Sequence, residues 1–443
     1  MPTGPGMMHE HAPAPRSAVH LKRTSWKGIL SKIVFVNRFY APDHSATSQL
    51  LTDLAVYLAR QGFEVAIVTS RQLYENPAAD LPATQTIDGV SVHRVRTTRF
   101  GRNAMAGRAI DILFFYLFAA VELLGLLRRG DVVVAKTDPP MVSVIVAACA
   151  WLRGASHANW MQDLFPEVAV AAGVPFTRGL LGRVLAWIRD WSLDSAVANV
   201  AIGDRMAQAV RARLSHPGSV HVIPNWSDGR AIVPLARAAN PLAREWALDD
   251  KFVVGYSGNM GRTHELVSLL DAAERLRDDP SIRFLFIGGG KQRDSIEQEA
   301  RERGLDNVVF KPYQPRERLG LSLTLPDVHV ASLLPAYEGM IVPSKFCGIA
   351  AAGRATLFIG APDGEIGAIL RTERCGVTFS AGDADGIAAQ VRAWAADGEA
   401  VAEMGRRARD VFDRRFDMAA TTLAWSRLLD QIGLARALPA ART

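Results

Sequence analysis

Lys32–Val36 reads KIVFV, and its apolar residues follow one another with nothing polar between them. Alternate residues of a strand point to opposite faces, so such a run suits a strand covered on both sides. Runs of this type return at Glu64–Thr69, Val90–Arg96, Asp131–Ala135, Ala158–Trp160, Val197–Ile202 and Val220–Ile223, and an amphipathic stretch after the first of them reaches about Arg60. Repeated strand, loop, helix, strand order predicts an α/β fold: a parallel sheet with helices on both faces.

Near Asn225–Pro241 the pattern dissolves into turn residues, NWSDGRAIVPLARAANP, and then restarts at Phe252–Tyr256. A second set follows at Ile282–Ile287, Val308–Phe310, Val328–Ala331 and Thr356–Ile359. The chain has 443 residues, more than one core usually supports. The expected layout is an N-terminal extension over 1–30, one doubly wound domain over 31–232, a second over 233–415, and a last segment over 416–443. Its helix, around Met418–Ile432, has no following strand and is expected to cross back to the first domain. Two such domains face to face leave a ligand cleft at the carboxyl ends of both sheets. The extension carries Pro2, Pro5, Pro13 and Pro15 and no continuous apolar run before Ile29, which predicts disorder rather than a signal peptide.

Composition narrows the partners. The 51 Lys+Arg exceed the 45 Asp+Glu by six, which favours an anionic ligand or membrane surface, and no basic arm or aromatic RNA-binding signature points to nucleic acid. Three cysteines, Cys149, Cys347 and Cys375, lie far apart without a CxxC pair, the usage of a reducing cytoplasm and not of structural zinc or a disulfide framework. Ile110–Leu127, IDILFFYLFAAVELLGLL, is long enough for about 27 Å of helix. Asp111 and Glu122, eleven residues apart, share nearly one helical face, with Arg108 and Arg129 close to it. A charge at mid-bilayer costs about 2.5–3.5 kcal/mol. That leaves an interfacial helix flanked by arginines or a core helix of the first domain.

The densest chemistry lies between Glu338 and Gly360, EGMIVPSKFCGIAAAGRATLFIG. Pro343 suits the first position of a helix and Gly353 its C′ end. First-turn N–H groups and the helix dipole then favour an anion, with Lys345 adding a full charge. Glu338 cannot serve a phosphate and suits sugar hydroxyls. A buried helix whose small residues pack closely on a sheet is the plainer alternative.

With these pieces in hand, the chain resembles the retaining glycosyltransferases of family 4, which have the two-domain GT-B fold, and in particular the subset that builds bacterial capsule, O-antigen and colanic-acid-type polysaccharides. The resemblance spans nearly all of 32–435 and rests on FYAPDHSATSQLLTDLAVYLARQGFEVAIVTS, WMQDLFPE, AIGDRMAQ, VIPNWSD, YSGNMGRTHE, FLFIGGGKQRD and EGMIVPSKFCGIAAAGR. It implies a nucleotide sugar bound mainly by the second domain, an acceptor held mainly by the first, and no cofactor.

On the donor side it implies Gly258, Asn259 and Gly261 of YSGNMGR, with Arg262 neutralising the diphosphate, or else a merely tight structural turn. It adds Gly289, then Tyr313 as a base-stacking ring or a packed loop aromatic. The segment Met340, Ile341, Val342, Pro343 and Ser344 leads to Lys345. One departure stands out. Where the family carries a second, ribose-binding glutamate, this chain has Lys345-Phe346-Cys347-Gly348, so Glu365 becomes the nearest candidate; a lysine common after the glycine loop is replaced by His264. On the acceptor side, Asp43, His44, Ser45 and Ala46 fill the first strand-to-helix loop. Asp163 is open to two roles, handling the acceptor hydroxyl or capping the helix that follows.

The implied reaction displaces a nucleoside diphosphate with retention, the leaving group being stabilised by Arg262, Lys345 and the helix N-terminus. Catalysis is assigned to Glu338, Lys345, Arg262 and Asp163. No metal is called for, and Asp383 and Asp385 read as a helix cap. A dinucleotide oxidoreductase lacks its GxGxxG after the first strand. A GT-B sugar-nucleotide epimerase or a non-catalytic nucleotide-sugar-binding protein stays open. The expected setting is cytoplasmic and peripheral to the inner membrane, with a lipid-linked saccharide acceptor.

Overall fold

The computed structural model describes residues 31–100 and 105–434. The predicted extension over 1–30 and the tail beyond 434 lie outside the described residues. The first half runs β1 (Lys32–Val36), α1 (Ala46–Arg60), β2 (Glu64–Ser70), β3 (Thr84–Ile87), β4 (Val90–Val95), α2 (Met105–Leu126), β5 (Val132–Lys136), α3 (Val142–Arg153), β6 (Ser156–Trp160), α4 (Glu167–Ala171), α5 (Leu180–Asp194), β7 (Ala198–Ala201), α6 (Asp204–Arg211) and β8 (Val220–Val222). The second runs α7 (Pro241–Glu245), β9 (Phe252–Ser257), α8 (Val267–Arg275), β10 (Ile282–Ile287), α9 (Arg293–Glu302), β11 (Val308–Lys311), α10 (Leu319–Thr324), β12 (Val328–Ser332), α11 (Lys345–Ala351), β13 (Ala355–Ile359), α12 (Glu365–Glu373), β14 (Gly376–Phe379), α13 (Ala384–Ala396), α14 (Gly398–Arg415) and α15 (Met418–Gln431).

The first sheet has the order β3-β4-β2-β1-β5-β6-β7-β8 and the second β11-β10-β9-β12-β13-β14. All pairings are parallel except β3 with β4. The apolar runs work as expected: Ile33 and Phe35 enter one buried cluster with α1, while Val34 and Val36 enter another with α2 and α3. Strand order reverses between β1 and β5 and between β9 and β12, so the loops leaving these strands line the crevices where ligands bind.

Two strands escaped the sequence reading. β3, TQTI, is almost entirely exposed and pairs antiparallel at the sheet edge, so it lacks the apolar signature. β14, GVTF, is half-buried at an edge of the second sheet. Asp131, expected to open a strand, stays outside β5, where its carboxylate accepts the Lys32 N–H at 3.1 Å and the Arg128 N–H at 2.8 Å.

α2 divides its surface between two environments. Phe115, Ala119 and Leu123 are buried against the sheet, and Asp111 turns inward to accept from Thr98 Oγ1 at 2.7 Å and Phe100 N at 3.0 Å. Glu122 lies 2.9 Å from His93 Nδ1. The opposite side leaves Leu113, Leu117 and Val121 more than half exposed. By length and composition Gly107–Leu126 could cross a membrane, yet both of its carboxylates are spent inside this domain.

The two cores hand over between Trp226, in the first, and Ile232, in the second. After the second sheet, the Ser227 N–H donates to Phe416 O and the Met418 N–H to Ser227 O, both at 3.1 Å, and this seats α15 on the first domain. There Trp425 tilts against Trp160 at 4.9 Å, and Trp160 stacks on Trp226 at 5.7 Å. Removing a fully buried tryptophan costs about 3–5 kcal/mol. Trp425→Ala should therefore lower the guanidinium midpoint of the first domain's transition, and an unchanged midpoint would show that α15 adds nothing to that core.

Candidate active site

The loops leaving β9 and β10 are built on each other. Gly258, Gly288 and Gly290 all have φ above +110°, a region that side chains disfavour, and a Cβ on Gly288 would collide with the Gly258 carbonyl. The Gly258 N–H donates to Ile287 O at 2.8 Å and the Met260 N–H to Gly289 O at 2.7 Å. The result is a thin backbone floor. Tyr313 stands over it, 59% exposed, with its hydroxyl 3.5 Å from Gly289 O. One edge of the ring lies against Gly289, where a Cβ would come within 3.0 Å of Cε2, and the rest of the side chain is largely exposed.

Lys345 reaches this floor from the facing helix. A Cβ on Gly258 would lie 3.0 Å from Lys345 Cε, and the ammonium sits 5.1 Å from the centre of the Tyr256 ring. It donates to Asn259 O at 3.0 Å and faces His264 Nε2 at 3.0 Å. His264 Nδ1 is 2.6 Å from Ser332 O, which can only accept, so Nδ1 carries the ring proton and Nε2 offers its lone pair to Lys345. Burial and the neighbouring ammonium push the His264 imidazole down to about 4. Burial pushes Lys345 down to about 8. Arg262 is exposed beside the same loop and makes no hydrogen bond or ion pair among the described residues.

The helix start differs from expectation. α11 begins at Lys345 with Ser344 as its cap, so Pro343 precedes the cap instead of opening the helix. Gly353 takes the predicted left-handed C′ position at φ +62°. The Phe346 and Cys347 N–H groups turn back to Pro343 O and Ser344 O at 3.2 and 3.1 Å. A seven-residue helix with these two donors engaged is a weak anion site, and the positive charge there belongs chiefly to Lys345.

Neither expected sugar carboxylate is wholly free. Glu338 Oε1 accepts the Glu365 N–H at 2.5 Å, while its Oε2 is buried with no partner. Burial, then the nearby Glu365, raises the Glu338 carboxyl above its ordinary range. Glu365 is buried, and its Oε2 accepts the Arg205 N–H at 2.8 Å, at the start of α6 in the other domain. It therefore latches the domains instead of lying open for a ribose. Met340 and Ile341 belong to the same seam: Met340 O accepts the Leu164 N–H at 3.0 Å, and Ile341 pairs antiparallel with Asp163. Val342 packs against Gly203. These three residues are half-buried along the seam between the domains.

In the first domain Asp43 is occupied as well. Its Oδ1 accepts from Ser45 N at 2.8 Å and Ser45 Oγ at 2.5 Å, and its Oδ2 accepts from Tyr74 N at 2.5 Å. Asp43 and Ser45 shape the loop, while His44 and Ala46 remain exposed at its surface. Asp163 does not cap α4, whose cap is Pro166. Its carboxylate accepts no hydrogen bond among the described residues and is open to water, yet the walls of the cleft crowd it. Burial and the charge of Asp138 push it up to about 6. Sequence reasoning missed Asp138, whose Oδ2 accepts from Thr47 Oγ1 at 2.9 Å, and Lys136, fully buried 3.4 Å over the Trp160 ring. Lys136 closes β5 and Asp138 lies in the loop just after it, at the switch point, and that position was their only signal. Asp383 caps α13 by accepting the Gly386 N–H at 3.0 Å.

Two family models match the chain: a glycosyl transferase 4-like domain over residues 46–226 and glycosyl transferases group 1 over 242–411. The chain belongs to the GT-B glycosyltransferases. It is 25% identical over 377 residues to the putative colanic acid biosynthesis glycosyl transferase WcaI of Escherichia coli, covering 77% of this chain and 86% of the relative. The probable glycosyltransferase WbjE of Pseudomonas aeruginosa is 24% identical over 343 residues, with 77% and 84% covered. Among solved structures, sucrose-phosphate synthase from Thermosynechococcus elongatus superposes with a TM-score of 0.72 at 16% identity, over 91% of this chain and 99% of that one. Anabaena HepE in complex with UDP-glucose gives 0.65 at 14% identity, over 90% and 99%.

The Lys345 environment generates a pH dependence. The ammonium is the charged form, so it is present below about pH 8 and lost as pH rises through that value. Because kcat/KM reports free-enzyme groups, it should fall above about pH 8. Lys345→Arg, which stays charged, should remove that basic limb, and an unmoved limb would detach it from Lys345.

Proposed function

We propose that this glycosyltransferase works with retention, moving a sugar from a nucleoside-diphosphate sugar to a polyprenyl-linked saccharide in cell-surface polysaccharide synthesis. The observation that carries this reading is the Lys345 ammonium, kept by neutral His264 at the mouth of the glycine floor. A diphosphate laid on Gly258 and Gly288–Gly290 meets backbone with no Cβ in the way and the Lys345 ammonium beside it, with Arg262 in the same loop. Tyr313 offers its ring to the base. Names among similar proteins lend support: one solved neighbour is a UDP-glucose complex, and WcaI is assigned to colanic acid biosynthesis.

In this scheme the bond from the anomeric carbon to the diphosphate oxygen breaks while the acceptor oxygen closes on the same face. The acceptor proton passes to the departing phosphate oxygen, and Asp163 orients the hydroxyl. Lys345, held in place by its neighbours, and the exposed Arg262 supply the charge stabilisation at the leaving group, so the scheme requires neither metal nor cofactor. The unpartnered Glu338 Oε2 accepts a hydroxyl of the donor sugar. The expected setting is the cytoplasmic side of the inner membrane, with the exposed face of α2 against the headgroups.

Losing one charge-assisted contact is worth about 1.5–3 kcal/mol, so Lys345→Ala and Arg262→Ala should each lower turnover at least about ten-fold while leaving the melting temperature nearly unchanged. Wild-type kinetics in both would remove the charge assignment. Glu338→Gln should also slow transfer; normal turnover there, with loss in Glu365→Gln, would move the sugar carboxylate to Glu365. The donor itself is found by thermal shift against a set of nucleotide sugars. At 100 times its dissociation constant, a true donor stabilises the fold by about 2.7 kcal/mol.

A further inference from the structure

α2, α3 and α5 pack side by side on one face of the first sheet. The sequence reading singled out α2 alone, but its neighbours carry the larger exposed rings. On α5, Leu180, Val184, Trp187 and Trp191 fall at spacings of four, seven and eleven residues, which is one helical stripe. That stripe points outward: Trp187 is 71% exposed and Leu180 78%. The inward side of the same helix holds the buried Arg189, Ser192 and Leu193. At the end of α3, Trp151 is 79% exposed beside Leu152. Ile110, Phe114, Leu117 and Val121 repeat the outward stripe on α2. A layer apolar on both sides does not belong in water.

Charge selects the occupant. Arg108, Arg128, Arg153, Arg178 and Arg183 are exposed on these helices or next to their ends. The carboxylates of the same helices are turned in or paired: Asp111 with Thr98, Glu122 with His93, Asp190 with Arg189, and Asp194 with the Ser215 N–H. The outer surface is thus apolar with a cationic rim. A two-fold contact with a second copy would set arginines against arginines, whereas an anionic bilayer neutralises them and receives tryptophan at headgroup level.

We propose that α3 and α5 complete, with α2, a three-helix face that docks on anionic lipid, and that Trp151, Trp187 and Trp191 insert at the headgroup boundary. This extends the α2 contact of the functional reading above, on which it rests for the presence of a membrane partner. Docking of the full chain is measured by co-sedimentation with phosphatidylglycerol vesicles and by tryptophan quenching with brominated lipid. Wild type should bind, be quenched, and release as salt rises. Trp187→Ser with Trp191→Ser should weaken binding at least about ten-fold, a difference of about 1.4 kcal/mol, and remove a large part of the quenching. Trp187→Phe with Trp191→Phe should retain most of the binding, which separates lost insertion from lost folding.

A second variant, Leu117→Ser with Phe118→Ser, isolates α2. Phe115 is core and is left untouched. If the α2 variant releases the protein while the α5 variant binds like wild type, the α5 proposal is overturned and the α2 contact survives. Absence of binding by wild type overturns both. Wild type that elutes as a dimer, ignores vesicles, and becomes monomeric in the α5 variant shows self-association instead. Transfer to a water-soluble acceptor, measured in parallel, tells loss of docking from loss of chemistry.

Discussion

The Glu365 carboxylate reaches across the cleft to the Arg205 N–H at the start of α6, and the Glu365 backbone N–H is in turn held by Glu338. This two-carboxylate chain, together with the antiparallel bridge between Asp163 and Ile341, fixes how the two sheets face each other. Everything proposed for the site needs that arrangement. The glycine floor and Lys345 belong to one domain, Asp163 and the β1 loop to the other, and a sugar can be shared between them only if the seam sets their separation. Gly203 and Gly364 are the corresponding sequence requirements, since a Cβ at either would run into Glu365 or Glu338.

Within the second domain, burial does most of the electrostatic work. A lysine surrounded by Tyr256, Asn259 and His264 loses hydration and with it part of its basicity. The histidine answers by staying neutral, its Nδ1 proton committed to Ser332 O. It therefore positions the ammonium without adding a competing positive charge. A second lysine in place of His264 would repel Lys345 in the same confined space.

Three elements show why apolar pattern alone underdetermines placement. α2 has enough apolar residues for a bilayer span, a core helix or a surface helix, and only the partners of Asp111 and Glu122 decide which side faces the protein. α5 looks ordinary in sequence because its stripe has the right period, yet the stripe faces outward. α15 follows the second domain in sequence but buries Trp425 in the first, because Ser227 and Asp417 bring the two crossings of the chain together.

The sequence by itself determined the α/β class, the two halves, nearly every buried strand and the glycine loops, because uninterrupted apolar runs and obligatory glycines are local demands of backbone and solvent. It also pointed to Lys345, Arg262 and Tyr313, which follow strands whose ends must open on a crevice. Tertiary structure decided what those local signals leave free: that Glu365, Met340 and Ile341 serve the seam, that Asp43 is consumed by its own loop, that Asp138 stands beside Asp163, and that three helices turn apolar stripes outward. Each depends on a partner from a distant part of the chain, and the identity of such partners is set by packing and not by neighbours in sequence.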